Sequence, residues 1–184
     1  MGELKLAEEL KQLALMEEID LRSCGLGVKS ESALMEALGS CQQMEDISLA
    51  ENTFSEPFLM KFAQRLPHFR LLRKLDLKLC GISDSVCKSL AEALGCCQNL
   101  EEITLSWNII GDDGSCSLSY SLKQMRRLKK LDLEKNQIKM KGAEAMAQAL
   151  SVCLWIKLVG QSNNKGDGRE AAQRKCKAQL LNRL

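Results

Sequence analysis

The sequence repeats itself every 28 residues, and this period constrains the possible fold more than any other feature. Five segments align without a gap and begin at Met16, Met44, Leu72, Leu100 and Leu128. Six positions of the unit (1, 4, 6, 11, 19 and 23) are apolar in all five copies. In a chain with 45% apolar residues, such agreement does not arise by chance. Each segment therefore predicts one copy of the same small structure.

Within one unit, the apolar period changes from that of a strand to that of a helix. Leu131 and Leu133 alternate with polar residues, which favours a short strand. Met146 and Leu150 are four residues apart, which favours one face of a helix. One unit buries only about six or seven apolar side chains, at about 1.5–3 kcal/mol each before entropy is subtracted. It cannot fold alone, so the units must stack.

Position 9 of the unit holds a small set of residue types: Cys24, Asn52, Cys80, Asn108 and Asn136. A buried asparagine there can bond the backbone where the chain leaves the strand, and stacked copies would form a ladder. Cysteine can replace it as a small buried group. The resulting pattern, LxxLxLxx(N/C)xL, is that of the leucine-rich repeat.

The predicted fold is therefore an α/β solenoid. The 28-residue period with a full helix indicates the ribonuclease-inhibitor-like subclass, a horseshoe segment with parallel strands on the concave face and helices on the convex face. Residues 16–155 form the five repeats. Residues 1–15 are predicted to be the helix of a partial repeat, either an improvised cap or, as we prefer, part of a longer array.

The pattern weakens at the other end, in residues 156–184. A sixth unit should begin at Ile156, and Val159 fits its position 4, but Gln161 stands where leucine is required. We therefore predict a degenerate repeat, a loop over 161–168 and a basic amphipathic helix over 169–184. The tail from residue 157 carries a net charge of +5, from seven Lys/Arg and two Asp/Glu. It is interpreted as a solvated or partly ordered tail, with a partner-binding helix as the alternative.

Few features of the sequence suggest catalysis. The nine cysteines are odd in number and lack CxxC spacing, which argues against a disulfide framework or a zinc site and favours free thiols in the cytoplasm or nucleus. His68 is the only histidine, and no glycine-rich segment resembles a phosphate-binding loop. We predict no enzyme, no cofactor, no metal, no membrane span and no direct nucleic-acid binding.

The concave face is the candidate site for a protein partner. Its side chains should come from positions 3, 5, 7 and 8 of each unit, and the first two units should present a mostly acidic stretch. Leu79 and Trp107 share position 8 in adjacent units, so they should be neighbours and could form a hot spot. Alternatively, Trp107 folds over its neighbours and only closes the edge of the groove. The predicted contact residues are Glu18, Asp20, Asp46, Glu51, Lys74, Lys78, Leu79, Glu102, Trp107, Lys130 and Lys135.

Two phrases resemble a known family. LEEITLSWNIIGDDG (100–114) and QMRRLKKLDLEKNQI (124–138) are similar to the C-terminal repeats of NOD-like receptors, in particular of a large CARD-containing kind. The resemblance implies a role in innate immunity and in the regulation of MHC class I transcription. It also implies intramolecular contacts with a nucleotide-binding NACHT domain in a full-length receptor. This chain has no NACHT segment, so it cannot itself carry ATP-driven switching.

Two other functions stay open at this point. One is a stand-alone inhibitor or scaffold similar to ribonuclease inhibitor, which would need a larger horseshoe for a standard interface of about 800 Å² per partner. The other is a GTPase-activating solenoid resembling the Ran GTPase activator. That family carries an acidic C-terminal tail, whereas the tail here is basic.

Overall fold

A computed structural model describes residues 15–153 and 156–159 of the chain. The predicted alternation of strands and helices is confirmed. The strands are β1 (Glu18–Asp20), β2 (Asp46–Ser48), β3 (Lys74–Asp76), β4 (Glu102–Thr104), β5 (Lys130–Asp132) and β6 (Lys157–Val159). The helices are α1 (Glu31–Ser40), α2 (Glu56–Arg65), α3 (Asp84–Leu94), α4 (Asp112–Leu122) and α5 (Met140–Val152). A short 3-10 helix, Leu66–His68, follows α2.

The strands form one parallel sheet in chain order, because every connection between neighbouring strands crosses back through a helix. From β1 to β5 the register is one whole unit: Ile47 pairs with Leu75, and Leu75 with Ile103. Equivalent positions therefore stack directly on one another. The leucine-rich repeat solenoid predicted from the period is confirmed.

The sixth unit leaves this register one residue early. Ile156 occupies position 1 as predicted, since its amide donates to the Cys153 carbonyl at 3.2 Å. The prediction that Val159 stands at position 4 is wrong, because Leu158 pairs with Leu131. The residue that separates position 1 from the strand in the other units is missing here. Residues 1–14 and 160–184, with the predicted partial helix and basic tail, lie outside the described residues.

One apolar core runs through the stack of units between the sheet and the helices. Strand positions 4 and 6 contribute Leu75 and Leu77, and the helix after β3 contributes Leu90 and Leu94, all of them buried. The core is continuous from unit to unit. No unit closes its own core. The stabilisation of about 25 cal/mol per Å² of buried apolar surface is therefore gained only when units stack.

The predicted asparagine ladder is present and joins each unit to the one before it. The Asn108 side-chain amide donates to the carbonyls of Leu77 (2.9 Å), Leu105 (3.0 Å) and Ser106 (3.2 Å). Its Oδ1 accepts from the amides of Cys80 and Ile82, both at 3.0 Å. One buried side chain therefore satisfies five backbone groups in two units, where the chain turns away from the strand.

Cysteine fills the ladder position less completely than asparagine. The Cys80 thiol is buried and donates to the carbonyls of Leu49 (3.3 Å) and Lys78 (3.5 Å), two carbonyls where the Asn108 amide serves three. Cys24 is exposed, so the expectation that it is a buried group is wrong. It belongs to the first described unit, where its thiol reaches only the Arg22 carbonyl of its own turn, at 3.6 Å.

A second set of contacts links the first turn of one helix to the first turn of the next. The Asp112 carboxylate, at the start of α4, accepts from the amides of Lys139 and Gly142, both at 2.8 Å. These amides belong to the first turn of α5, where no intrahelical acceptor exists. Asp84 caps α4 in the same way through Gly111 (2.6 Å) and Gly114 (2.9 Å). A negative charge at this end also complements the helix dipole.

Glycine is required at Gly142 because this contact brings α4 and α5 very close. A Cβ atom built there would lie 2.7 Å from Asp112 Oδ1, 2.9 Å from Ile138 Cγ2 and 2.9 Å from Ser115 Cβ. Real Cβ atoms do not approach other heavy atoms so closely. Ser115 uses the same proximity, since its hydroxyl donates to the Gly142 carbonyl at 3.1 Å.

The described cysteines are free thiols, as predicted, and most of them are buried. Burial raises the pKa of Cys80 and of Cys97 to about 12. Burial raises the pKa of the Cys87 thiol as well, assisted by the negative charge of Asp84. Cys96 is exposed. The buried thiols therefore act as small core groups that stay protonated at neutral pH.

Replacing Asn108 by alanine should destabilise the protein strongly. Five backbone groups lose their partner, and each unsatisfied buried group costs about 1–3 kcal/mol, so we expect a net loss of about 3 kcal/mol after relaxation and water entry. Asn108→Cys should cost less, because the thiol of Cys80 keeps two of the equivalent bonds. Urea unfolding followed by circular dichroism measures both. Equal losses for the two variants would show that the ladder does not act through these bonds.

Gly142→Ala should destabilise the protein, against the ordinary trend. Alanine in a helix is normally more stable than glycine by about 0.5–1 kcal/mol. Here the methyl group would overlap Asp112 and Ser115, so we expect a loss of about 1–3 kcal/mol. Gln148→Ala, at an exposed position of the same helix, is the matched control and should change stability by less than about 0.5 kcal/mol. A gain in thermal stability for Gly142→Ala would contradict the close contact.

Alkylation should separate the cysteines by burial. Iodoacetamide at pH 8 reacts with thiolate, and a thiol with a pKa of about 12 is ionised to about one part in 10⁴ at that pH. Cys24 and Cys96 should therefore be labelled in the native protein, while Cys80, Cys87 and Cys97 are labelled only after addition of guanidinium. Peptide mass spectrometry reads out both states. Uniform labelling of the native protein would mean that the core opens readily.

Candidate protein-binding site on the concave face

The predicted contact residues lie in register along the outer face of the sheet. Positions 3 and 5 of each strand point away from the core, because side chains alternate along a strand and position 4 is buried. Glu18, Lys74 and Lys130 are exposed, whereas Asp46 and Glu102 are partly covered. The Cα partners within this row are Glu18 with Asp46, Asp46 with Lys74, Lys74 with Glu102, and Glu102 with Lys130.

Position 7 does not contribute uniformly to this face, which corrects the expectation from the sequence. Ala50 and Ser106 are buried there, because the chain has begun to turn away from the sheet. Lys78, with a longer side chain at the same position, remains partly accessible. The available surface is therefore built from positions 3, 5 and 8, with position 7 contributing only where its side chain is long, as in Arg22 and Lys78.

Ion pairs between neighbouring units join most of the charges. Lys74 Nζ lies 2.8 Å from Asp46 Oδ2, and Lys78 Nζ lies 2.8 Å from Glu51 Oε1. Lys130 Nζ lies 3.5 Å from Glu102 Oε2. Two carboxylates of the acidic stretch expected from the first two units, Asp46 and Glu51, are thus paired with lysines of the third. Exposed pairs of this kind stabilise a fold by about 0–1 kcal/mol, so their main effect is on the surface potential.

The Glu51 carboxylate is bonded to the units on both sides of it. It accepts from Lys78 Nζ at 2.8 Å and from the Ser23 hydroxyl at 2.7 Å. The hydrogen bond from Lys78, followed by that from Ser23, holds the pKa of the Glu51 carboxyl below its usual value. The carboxylate is therefore ionised at neutral pH and fixed between the first and third units.

Position 8 has a backbone conformation that the sequence did not reveal. In all five described units its φ is positive, in the left-handed region: Ser23 54°, Glu51 59°, Leu79 51°, Trp107 59° and Lys135 55°. This region costs a non-glycine residue about 1–2 kcal/mol. A weak signal was available, since none of these five residues is β-branched.

Hydrogen bonds to the next unit hold this left-handed residue in place. The Leu79 amide donates to the Ser106 carbonyl at 3.0 Å, and the Trp107 amide donates to the Glu134 carbonyl at 2.8 Å. These bonds continue the sheet pairing one step past the strand. The side chain at position 8 is consequently presented from a fixed backbone.

Three large apolar side chains are exposed close together where β3 and β4 end. Leu79 is 48% exposed, Trp107 49% and Ile109 51%. Lys135 Nζ lies 5.3 Å from the centre of the Trp107 ring, within cation–π range. Lys135 thus covers one side of the Trp107 ring, and about half of the Trp107 surface remains exposed.

Ile109 was missed by the sequence reasoning. It stands at position 10, outside the positions assigned to the concave face, where the other units carry glycine, threonine or glutamine. An apolar residue at an otherwise polar or small position was the available signal. Its amide donates to the Ile82 carbonyl at 3.0 Å, which fixes the loop that carries it.

Residues 15–153 and 156–159 offer neither a metal site nor a membrane span. No group of three or more His, Cys, Asp or Glu side chains there could hold a metal ion. No helix in that part of the chain is long and apolar enough to cross a bilayer.

Comparisons with known proteins agree with this architecture. The family model described as "Leucine Rich repeat" matches residues 70–91, 96–115 and 124–147. Leiomodin-1 actin-binding site 2 shares the fold, with a TM-score of 0.61 at 14% identity, covering 96% of this chain and 89% of that one. That likeness concerns the fold alone.

The relatives in sequence include Protein NLRC5 of two mammals. The chain is 40% identical to Protein NLRC5 of Homo sapiens over 139 residues, which is 76% of this chain. It is likewise 40% identical to Protein NLRC5 of Mus musculus over 130 residues, or 71% of this chain. It spans 7% of the length of each of these relatives. The resemblance to NOD-like receptors is confirmed: the chain carries leucine-rich repeats, and these repeats are similar to those of Protein NLRC5.

Proposed function

We propose that this chain is a non-catalytic protein-interaction module that binds a protein partner on its concave face. The observation that carries the proposal is the exposed apolar patch of Leu79, Trp107 and Ile109 at the end of β3 and β4. Half-exposed tryptophan beside aliphatic side chains, with charged residues around them, has the composition of a binding hot spot.

The geometry of Trp107 suits a role as anchor. Its backbone is fixed by the bond to the Glu134 carbonyl, so little conformational entropy is lost when the ring is buried by a partner. Lys135, 5.3 Å from the ring centre, covers one side and directs the free side outward. A partner that buried the ring would gain apolar contact without having to reorganise this loop.

The paired charges suit the surroundings of such an anchor. Lys74 with Asp46, and Lys78 with Glu51, are already joined within the chain. A partner can then cover these four residues without burying an unpaired charge, which would be costly. These charge pairs contribute more to the choice of partner and to its orientation on the face than to the binding affinity.

The similarity to NLRC5 supports a place for this module within a NOD-like receptor. We propose that it acts in innate immune signalling and in the regulation of MHC class I transcription, in the cytoplasm or nucleus. In a full-length receptor the same repeats would also contact a nucleotide-binding domain. The basis is a 40% identical match that spans 7% of the relative's length.

Trp107→Ala should abolish partner binding and leave the fold intact. Truncation of a hot-spot tryptophan costs about 2 kcal/mol or more, which is at least about 30-fold in affinity. The matched control is Tyr120→Ala, because Tyr120 is an aromatic residue that is 74% exposed on helix α4. Tagged wild type and both variants are used to capture partners from cells, followed by quantitative mass spectrometry and titration of any protein found.

The expected result is a set of proteins retained by wild type and by Tyr120→Ala but lost from Trp107→Ala. Thermal unfolding should show that both variants fold. Equal capture by all three would rule out the patch as the contact. An MHC class I promoter reporter, measured with the same three proteins, tests the regulatory role separately, and a reporter unaffected by wild type would remove that role alone.

A further inference from the structure

A second surface lies far along the unit from the concave patch, where the helices end and the next strands begin. A cleft of about 710 Å³ opens between the first two helix-to-strand connections. Its volume is in the range of small-ligand and peptide pockets. Its lining comes from the end of α1 and the segment after it, and from the end of α2 through the 3-10 helix to Leu71.

The charges in this cleft are all of one sign. Among the described residues, Arg65, His68 and Arg70 line it, and no aspartate or glutamate does. Neither guanidinium has a hydrogen-bond or ion-pair partner within residues 15–153 and 156–159, in contrast to Arg73 nearby, which contacts both Glu45 and Glu101 at 3.3 Å. Two permanent positive charges therefore face the cleft without compensation.

Arg65 is held in position by the neighbouring helix. It lies in the last turn of α2, where a positive charge complements the helix dipole. The dipole explains why a basic residue is favoured at this position. The packing of Arg65 is set by a different contact, because its guanidinium lies against Gly39 of α1. A methyl group added at Gly39 would overlap it. Glycine at this point leaves the space in which the planar guanidinium rests.

The backbone fixes the other basic residues. The His68 ring nitrogen Nδ1 lies 3.2 Å from the Arg65 carbonyl oxygen. The Arg70 carbonyl accepts from the Asn99 side chain at 2.7 Å, which ties its loop to the following unit. Pro67 and Leu71 are exposed beside them, and Leu71 retains 40% of its surface. The cleft thus combines a basic wall with an apolar edge.

We infer that this cleft binds an acidic peptide segment of a partner protein, with its carboxylates on Arg65 and Arg70 and an apolar side chain against Pro67 and Leu71. Guanidinium groups bind carboxylates through charge-assisted, often bidentate hydrogen bonds. The cleft has no tryptophan or tyrosine on which a base could stack, and the adjacent Arg73 is neutralised by Glu45. A single indentation of this kind suits a peptide better than an extended polyanion.

The inference does not depend on the concave patch, and fluorescence anisotropy can test it. The probe is a fluorescein-labelled peptide that alternates glutamate with leucine, titrated with the full chain at low salt. The matched peptide carries glutamine in place of glutamate. We expect the acidic peptide to bind at least tenfold more tightly than the glutamine peptide. Added inorganic phosphate should compete only weakly, because it cannot use the apolar edge.

Two double variants assign the site. Arg65→Gln with Arg70→Gln should weaken the acidic peptide at least tenfold. Lys61→Gln with Lys88→Gln removes the same charge from exposed helix positions and should have less than a twofold effect. Equal effects of the two double variants, or equal binding of both peptides, would overturn the inference. Competition by phosphate as strong as by unlabelled acidic peptide would also overturn it, since it would indicate an anion site without peptide recognition.

The experiment also separates this surface from the proposed function. Trp107→Ala should bind the acidic peptide like wild type, and the Arg65 and Arg70 variant should keep the partners lost from Trp107→Ala. Circular dichroism and thermal unfolding establish that each variant is folded. Loss of peptide binding in Trp107→Ala would place the peptide on the concave face and contradict the inference.

Discussion

The structure depends on how the backbone is satisfied where each unit leaves its strand. At that point the chain must turn inside the molecule, and its amides and carbonyls have no sheet partner and no water. The side chain at position 9 of the following unit supplies the partners, and Asn108 alone serves five groups. Because three of these five groups, in Leu77, Cys80 and Ile82, belong to the preceding unit, the turn of one unit is complete only when the next is in place. The fixed stacking of strands, core and helices follows from this dependence.

The fold was predictable because its determinants repeat. Six apolar positions and one polar position recur at fixed offsets, so the register of β1 to β5 and the asparagine ladder could be read from the chain. Features that depend on the contact between two units were harder to predict from the sequence. The caps from Asp84 and Asp112 to the next helix join positions that look unremarkable in a single unit. The exposure of Cys24 and the early start of β6 arise where the regular stacking is interrupted.

The concave face and the basic cleft also differ in how far they could be predicted from the sequence. Leu79 and Trp107 could be placed side by side from their shared position, but their left-handed backbone is set by bonds to the next unit. The charge pairs follow the 28-residue spacing, so they could have been anticipated by comparing equivalent positions of neighbouring strands. The basic cleft could not, because Arg65 acquires its place from Gly39 in another helix.

The capping contacts between helices give the stack a direction. Each carboxylate lies at the beginning of one helix and accepts hydrogen bonds from the amides at the beginning of the next. Asp84 and Asp112 thus provide an acceptor to the unit that follows, while the amides of their own units can be capped by the unit before. Removing residues 100–127 would bring Asp84 to the place that Asp112 now holds against Gly142. Its carboxylate would then accept the same hydrogen bonds from the first turn of α5. Insertions or deletions of one whole unit therefore preserve the joint. Over generations the protein can lengthen or shorten by whole units, and its binding surface then changes in steps of one strand.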